Sequence, residues 1–430
     1  MSTVSVFKFG GASVKDARSV ANVKAILEKY NADKIAVVVS AMGKTTNAFE
    51  KVWKSINEKN RIQAGEELKQ IEDFHLAIVE ELFKENALKI KIAIQKILEI
   101  PKDAIEGKIN GKPDYIYDQI VSCGELLSST IVSHYLNAND TSNQWFDART
   151  IIKTDYHFRS AHVDWPKTQL QVEQTLQSFF QLGDSKIAVT QGFIGGADSL
   201  NTTTLGREGS DYSAAILAFA LNANQVLIWK DVPGVLNADP KFFPEAEKLD
   251  EISYKEAIEL AYYGASVIHP KTLQPLQNKK IPLWVKSFKS PEEKGTLIHE
   301  NTAFDSSRPS FIIKHNQRLI SLATKDFSFI VEEHLSEIFH LFAQHKVTIN
   351  MMQNSAINFS VSVDDDLLRL NALVEELSGK YTIRFNTGLD LLTIRHYDKP
   401  TRKKLTANKS ILMEQRTRNT YRVVLKEESN

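Results

Sequence analysis

Short apolar runs alternate with longer amphipathic stretches through the first 300 residues. Residues 4–9 are apolar and β-branched and run into Gly10-Gly11, the pattern of a strand entering a tight turn. Residues 14–30 have helical spacing, with Val20, Val23, Ile26 and Leu27 on one face. Residues 35–39 form an unbroken apolar run, as expected of a strand buried on both faces. Strand, helix and buried strand make a βαβ unit, so the pattern predicts an α/β domain with a parallel-core sheet. Residues 46–100 read as charge-laced helix, chiefly over 64–83 and 88–98. Strands are expected again at Trp145-Phe146, 186–190 and 225–229, with a turn-rich stretch at 192–209 between the last two. Residues 253–263 read as helix, and 281–285 as the last strand of this domain.

A polar stretch without period, residues 301–309, marks a boundary. Beyond it the pattern predicts strand 319–324, helix 335–344, strands 347–352 and 358–363, helix 367–377 and strand 381–385. That order, βαββαβ, is a ferredoxin-like α+β unit. Strands follow at 389–396 and 421–425. The segment between them is basic, with Lys399, Arg402, Lys403 and Lys404, and shows no apolar face.

Composition narrows the function classes. The 430 residues carry 53 basic and 53 acidic side chains, so no global charge recruits nucleic acid or an anionic membrane, and neither is expected as a partner. An anion site must be built locally. The single cysteine, Cys123, forms no internal disulfide and fits a reducing, cytoplasmic setting. Residues 1–11 lack a basic segment followed by an apolar one, and no apolar run reaches 18 residues, so neither a signal peptide nor a membrane span is expected.

Five segments carry candidate chemistry. In Lys8-Phe9-Gly10-Gly11-Ala12-Ser13, two glycines after a strand let backbone N–H groups approach a phosphate, and Lys8 adds a point charge. A plain Gly-Gly turn beside a solvated lysine reads the same way on the dipeptide alone. Ser40 opens Ser40-Ala41-Met42-Gly43-Lys44-Thr45 at a strand's carboxyl end, where α/β sheets bind ligands. This is not a P-loop, because the first glycine would fall on Val38. Ser122-Cys123-Gly124-Glu125 opens a helix. Its glutamate either favours the helix dipole or holds an ammonium, and Cys123 reads as a small buried hydrophobe. Thr202 to Asp211 combines hydroxyls, glycines, Arg207 and an acid before a helix expected from about Tyr212. Arg207 can grip a carboxylate bidentately, while Ser210 or Asp211 can cap the helix. Trp229 to Lys241 ends a strand in Lys230-Asp231, turns at Pro233-Gly234 and stops at Asp239-Pro240.

In order and spacing, these segments resemble the aspartate kinase family. Lys8 to Val14 is similar to its Lys-Phe-Gly-Gly-Thr-Ser-Val, with Ala12 for threonine. Ser122 to Glu125 resembles Ser-x-Gly-Glu. Gly192-Phe193-Ile194-Gly195 followed by Thr203 to Asp211 resembles Gly-Phe-Ile-Gly and Thr-Thr-Leu-Gly-Arg-Gly-Gly-Ser-Asp. Asp231 to Lys241 and Gly264-Ala265-Ser266-Val267-Ile268-His269-Pro270 resemble two further family segments. The resemblance implies an amino-acid kinase fold over residues 1–300, followed by an ACT-type regulatory region over 310–430. That region would hold one complete unit, about 319–385. A shortened second unit would be assembled from 311–314 and 389–430, lacking about one helix.

The resemblance also implies an activity: phosphorylation of the L-aspartate β-carboxylate by ATP with Mg²⁺, the first step towards lysine, threonine and methionine. Lys8 would stabilise the transferring phosphoryl group, with Asp211 holding Lys8. Ser40, Glu125, Phe193 and Arg207 would bind aspartate, Glu125 on the ammonium and Arg207 on the α-carboxylate. Gly10, Gly11, Ser13, Ser210, Lys230, Asp231, Leu236 and Lys241 would contact the nucleotide. No protein metal ligand is implied. A homodimer and an amino-acid effector at the ACT region are expected. A kinase acting on glutamate, carbamate or a nucleotide, or a sensor without catalysis, are the rival readings. The chain departs from the family at Glu208 (glycine), Lys230 (threonine), Leu236 (tyrosine) and Ser266 (lysine). Glu208 would place an acid near an anionic substrate, and Lys230 would supply the positive charge that Ser266 cannot. In the ACT region, Glu333 stands for a turn glycine and Asn350 for an aspartate of some lysine-responsive relatives.

Overall fold

Burial turns the early apolar runs into neighbouring strands. The strands β1 (Val4–Phe9), β2 (Lys34–Val39), β3 (Asn143–Phe146), β4 (Ile187–Gln191), β7 (Gln225–Lys230) and β9 (Leu283–Ser287) lie parallel, in the spatial order β3-β4-β2-β1-β7-β9. Between β4 and β7 the chain forms a separate hairpin, β5 (Ile194–Gly196) with β6 (Thr202–Thr204). The strand at Leu283–Ser287 is not the last of its sheet. β10 (Thr296–His299) pairs antiparallel with it, and β8 (Glu251–Ser253) pairs parallel with β10, giving eight strands. This computed structural model describes residues 4–30, 34–182, 186–198, 201–265, 268–326 and 328–427.

In β1, β2 and β4 nearly every residue is buried, because both faces of a parallel-core sheet are covered. Phe7, Phe9, Val37, Val39 and Trp229 share one core cluster, with Phe9 stacked on Trp229 at 6.1 Å. The first helix, Ala17–Lys29, begins three residues later than its spacing suggests. Asp16 caps it by accepting from the Ser19 amide at 2.7 Å, and Gly11–Ser13 forms a short 3₁₀ turn instead. β1 lies between β2 and β7, so the chain leaves it in both directions across the sheet. The carboxyl ends of these three strands meet at one edge, where such a reversal opens a crevice.

The chain divides into two compact units. The first comprises residues 1–235, 248–258 and 268–302; the second comprises 236–247, 259–267 and 303–430. The second is built on a six-stranded antiparallel sheet in the order β12-β13-β11-β14-β16-β15. Its strands are β11 (Ser310–Thr324), β12 (Ile349–Asn354), β13 (Asn358–Asp364), β14 (Tyr381–Arg395), β15 (Lys409–Arg416) and β16 (Thr420–Glu427). Helices Glu332–Gln344 and Leu367–Ser378 complete the ferredoxin-like βαββαβ order, with Glu333 in the first turn of the former. Strand breaks expected near 314–319 and 385–389 are absent, because β11 and β14 run through them with only register shifts at Lys314/Gln317 and Gln317/Leu319. The basic stretch forms helix Lys399–Thr406, capped by Asp398, followed by β15. Leu405 packs on the apolar cluster around Tyr421, and Arg402 lies over the Tyr421 ring at 5.6 Å, too little for a periodic apolar pattern. Among the described residues, no helix is long and apolar enough to cross a membrane.

Candidate active site

Lys8 is the next-to-last residue of β1 and is buried to 8% exposure. Its Nζ lies 2.6 Å from Asp211 Oδ1. Asp211 sits in the first turn of helix Gly209–Leu221. The helix starts at Gly209, ahead of the expected start, so neither Ser210 nor Asp211 is its cap. Asp211 is instead turned onto Lys8. Lys230, the last residue of β7, brings a second ammonium to 3.6 Å from Asp211 Oδ2. Burial would push the Asp211 carboxyl up, but Lys8 first and Lys230 second hold it below the usual carboxylate value. One buried acid therefore anchors two lysines at the carboxyl ends of adjacent strands.

The loops around this pair are fixed by close backbone approach. A Cβ on Gly11 would stand 2.7 Å from the Gly43 carbonyl oxygen and 2.8 Å from that of Ala41. The Gly43 amide in turn donates to the Gly11 carbonyl at 3.0 Å. No other residue lets the two loops touch there. Ser13 donates to the Trp229 carbonyl at 3.4 Å, tying the turn after β1 to β7.

Glu125 lies in the first turn of helix Cys123–Ala138 and is 3% exposed. Its Oε1 accepts from the Ala41 amide at 3.3 Å, while Oε2 has no hydrogen-bond partner among the described residues. Burial pushes its carboxyl up to about 8, opposed by the Ala41 hydrogen bond and the charge of Lys8. Cys123 beside it is fully buried, and burial raises its thiol to about 12, so it is a packing residue.

These groups line one cleft of about 620 Å³. Of the residues singled out in the sequence, Lys8, Gly11, Ser40, Glu125, Phe193, Arg207, Glu208, Ser210, Asp211 and Lys230 border it. Phe193 holds a left-handed backbone at φ +67°. Arg207 is exposed and engages no carboxylate among the described residues. Gly10 and Ser13, in the same turn as Gly11, do not border the cleft. Asp231 is exposed and does not border the cleft. Leu236, half-buried, and Lys241, exposed, belong to the second unit. Ser266 lies outside the described residues.

Glu208 stands at the cleft, as its position beside Arg207 suggests, but its carboxylate is tied back. Its backbone is left-handed, at φ +52°, and Oε2 accepts from the His269 amide at 3.0 Å. Lys271 donates to the Leu205 carbonyl at 3.1 Å, so two bonds tie this turn to helix Pro270–Lys279. The acid is therefore engaged by a backbone donor.

The sequence reading missed one wall. Arg159, left-handed at φ +68°, places its guanidinium 4.2 Å from the Tyr117 ring centroid and 5.2 Å from that of Trp53. Tyr117 donates to Glu50 at 2.7 Å, and all three of Arg159, Tyr117 and Glu50 border the cleft. Asp118 holds this wall: it accepts from the Arg159 amide at 3.0 Å and from the Thr204 hydroxyl at 2.7 Å. Burial nevertheless raises its carboxyl to about 6. In sequence, Arg159 sits in a polar loop with nothing to distinguish it from a solvated arginine.

A crevice at the carboxyl edge of a parallel-core sheet, lined with lysines, suits transfer of an anionic group. The amino acid kinase family model matches residues 3–287. Lysine-sensitive aspartokinase 3 of Escherichia coli K12 is 33% identical over 401 residues, covering 92% of this chain and 87% of the relative. Aspartokinase 2, chloroplastic, of Arabidopsis thaliana is 31% identical over 394 residues, covering 86% and 70%. The crystal structure of E. coli aspartokinase III with aspartate and ADP superposes with a TM-score of 0.80 at 30% identity, covering 98% of this chain and 96% of that one. The chain belongs to the aspartokinases of the amino acid kinase family.

Proposed function

We propose that the chain transfers the γ-phosphoryl group of ATP to the β-carboxylate of L-aspartate, giving 4-phospho-L-aspartate and ADP. The observation that carries this reading is the buried Glu125 Oε2 without a partner, in the same cleft as Lys8, Asp211 and Arg207. A buried carboxylate oxygen left open asks for a cation, and the substrate ammonium supplies one. Arg207, exposed and with no carboxylate partner among the described residues, grips the α-carboxylate. The nucleophile is a carboxylate with an ordinary value of about 4, ionised without a general base. What remains is positioning and neutralising charge on the phosphoryl group. Lys8, held by Asp211, meets the transferring group. Lys230 adds a second positive charge beside it, and Gly11, the residue of the Gly10–Ser13 turn that borders the cleft, lets the backbone approach the phosphates, with Ser210 in the first turn of helix Gly209–Leu221.

Among the described residues, no group of three or more His, Cys, Asp or Glu side chains could hold a metal ion. Asp211 is already engaged by lysines. Mg²⁺ would therefore enter on the nucleotide phosphates, where it supplies charge neutralisation.

The same reading assigns residues 1–300 to catalysis and 310–430 to ACT-type regulation by an amino acid. Nucleotide contacts from Asp231, Leu236 and Lys241, a homodimer and a cytoplasmic location go with it. The testing experiment is a coupled assay of ADP release with aspartate, glutamate, carbamate and uridine monophosphate as acceptors. Aspartate alone should support turnover; turnover with another acceptor only, or with none, would overturn the proposal.

A further inference from the structure

The second unit contains a cavity of about 500 Å³ that shares no residue with the Lys8 cleft. Its floor holds Arg422, on β16, which is only 9% exposed. Two contacts fix the guanidinium: Nη2 donates to the Asn350 carbonyl at 2.7 Å, and Nε to the Thr393 hydroxyl at 3.3 Å. The plane lies 4.8 Å from the Tyr263 ring centroid. An arginine offers five N–H donors, so most of this fork remains open. No carboxylate pairs with Arg422 among the described residues. Burial pushes its value down, as for a cation without a counter-charge.

The neighbouring charges leave a positive excess. Arg395 faces Glu259 at 3.5 Å. Lys314 donates to Asn350 Oδ1 at 2.8 Å and feels the charge of Asp364. Among the described residues, three cations thus stand against two acids, and Arg422 is the one without an acidic partner. Around the mouth stand three large, exposed side chains: Tyr262 at 69%, Met352 at 50% and Phe339 at 39%. Apolar side chains gathered at the rim of a cavity with one buried cation are the makings of a small-molecule site.

We propose that this cavity binds a small monocarboxylic acid with an aromatic or branched apolar body. The carboxylate accepts from the free N–H groups of Arg422, and the body packs between Phe339, Met352 and Tyr262. A second cationic group on the ligand would meet the local positive excess, so basic acids are disfavoured.

The test is calorimetric titration of the full-length protein with 3-phenylpropionate and its uncharged analogue 3-phenylpropanamide. The acid should bind, and the amide about tenfold or more weaker, the scale set by losing a charge-assisted pair. Arg422→Lys should weaken the acid by about tenfold, because an ammonium cannot reproduce the planar fork. Met352→Trp fills the mouth without touching the hydrogen bonds of Arg422 and should abolish binding while the melting temperature stays near that of the wild type. No binding of the acid at millimolar concentration, equal affinity for acid and amide, or unchanged binding by Met352→Trp would each overturn the proposal.

Discussion

If Glu125 receives the substrate ammonium, binding must expel a proton. Burial holds the free carboxyl at about 8 against an ordinary 4.5, a difference worth roughly 5 kcal/mol at 1.36 kcal/mol per pH unit. An ammonium placed on Oε2 stabilises the ionised form and returns the group towards its ordinary range. At pH 7 the free carboxyl is therefore about 90% protonated, and binding should release about 0.9 proton. Affinity falls about tenfold for each pH unit below 8, so KM for aspartate should rise roughly fiftyfold between pH 8 and pH 6. Titration of aspartate at pH 7 in phosphate and in Tris, whose ionisation enthalpies differ widely, reads the released proton directly. Initial rates at saturating ATP read the KM profile. Glu125→Gln keeps the shape and removes the titration, so its profile should be flat and its KM at pH 8 raised by roughly ten- to a hundredfold, the scale of a hydrogen bond to a charged group. Buffer-independent heats, or a wild-type pH profile that survives in Glu125→Gln, would refute the reasoning.

The same carboxyl shapes stability without substrate. Its folded value is raised, so its stabilising contribution is complete below pH 4.5 and is lost as pH rises through about 8; Glu125→Gln should melt above the wild type at pH 8.5 and not at pH 5. Lys8→Ala removes the charge facing the transferring phosphoryl and should lower kcat by roughly 10²–10³ with a native circular dichroism spectrum. Asp211→Ala leaves two lysines beside each other with no acid, and denaturant unfolding should show a loss of roughly 3–5 kcal/mol. Arg207→Lys should raise KM for aspartate and leave KM for ATP nearly unchanged; movement of the ATP constant instead would place Arg207 on the nucleotide.

Much of the first unit could be read from sequence, because buried parallel strands such as β2 are unbroken apolar runs and the glycine turns between them are short. Lys8, Glu125, Arg207 and Asp211 were found by motif and do converge on one cleft. The hairpin at Ile194–Gly196 and Thr202–Thr204 was hidden, since strands of three residues rich in glycine and threonine carry no period. Arg159 was hidden because its position depends on a left-handed backbone and on Asp118, 41 residues earlier. The role of Glu208 depended on a tertiary partner, the His269 amide, that no local pattern announces. In the second unit, β14 was read as two strands, and β11 only from residue 319, with 311–314 set apart in another unit. Polar residues at the register shifts look like loop when pairing is unknown.

Those two strands carry a consequence for how the C-terminal half can be divided. Each has 15 residues, roughly 50 Å of extended chain, and each lies at the centre of the six-stranded sheet. The ferredoxin-like half uses one end of both, and the half with Lys399–Thr406 uses the other. Like two beams spanning adjoining rooms, they give neither half a wall of its own. A chain ended after residue 385 would strip β14 from half of β11 and bare a raw strand edge, an invitation to aggregation. Any trimmed or transplanted regulatory module from this protein must therefore keep both beams whole.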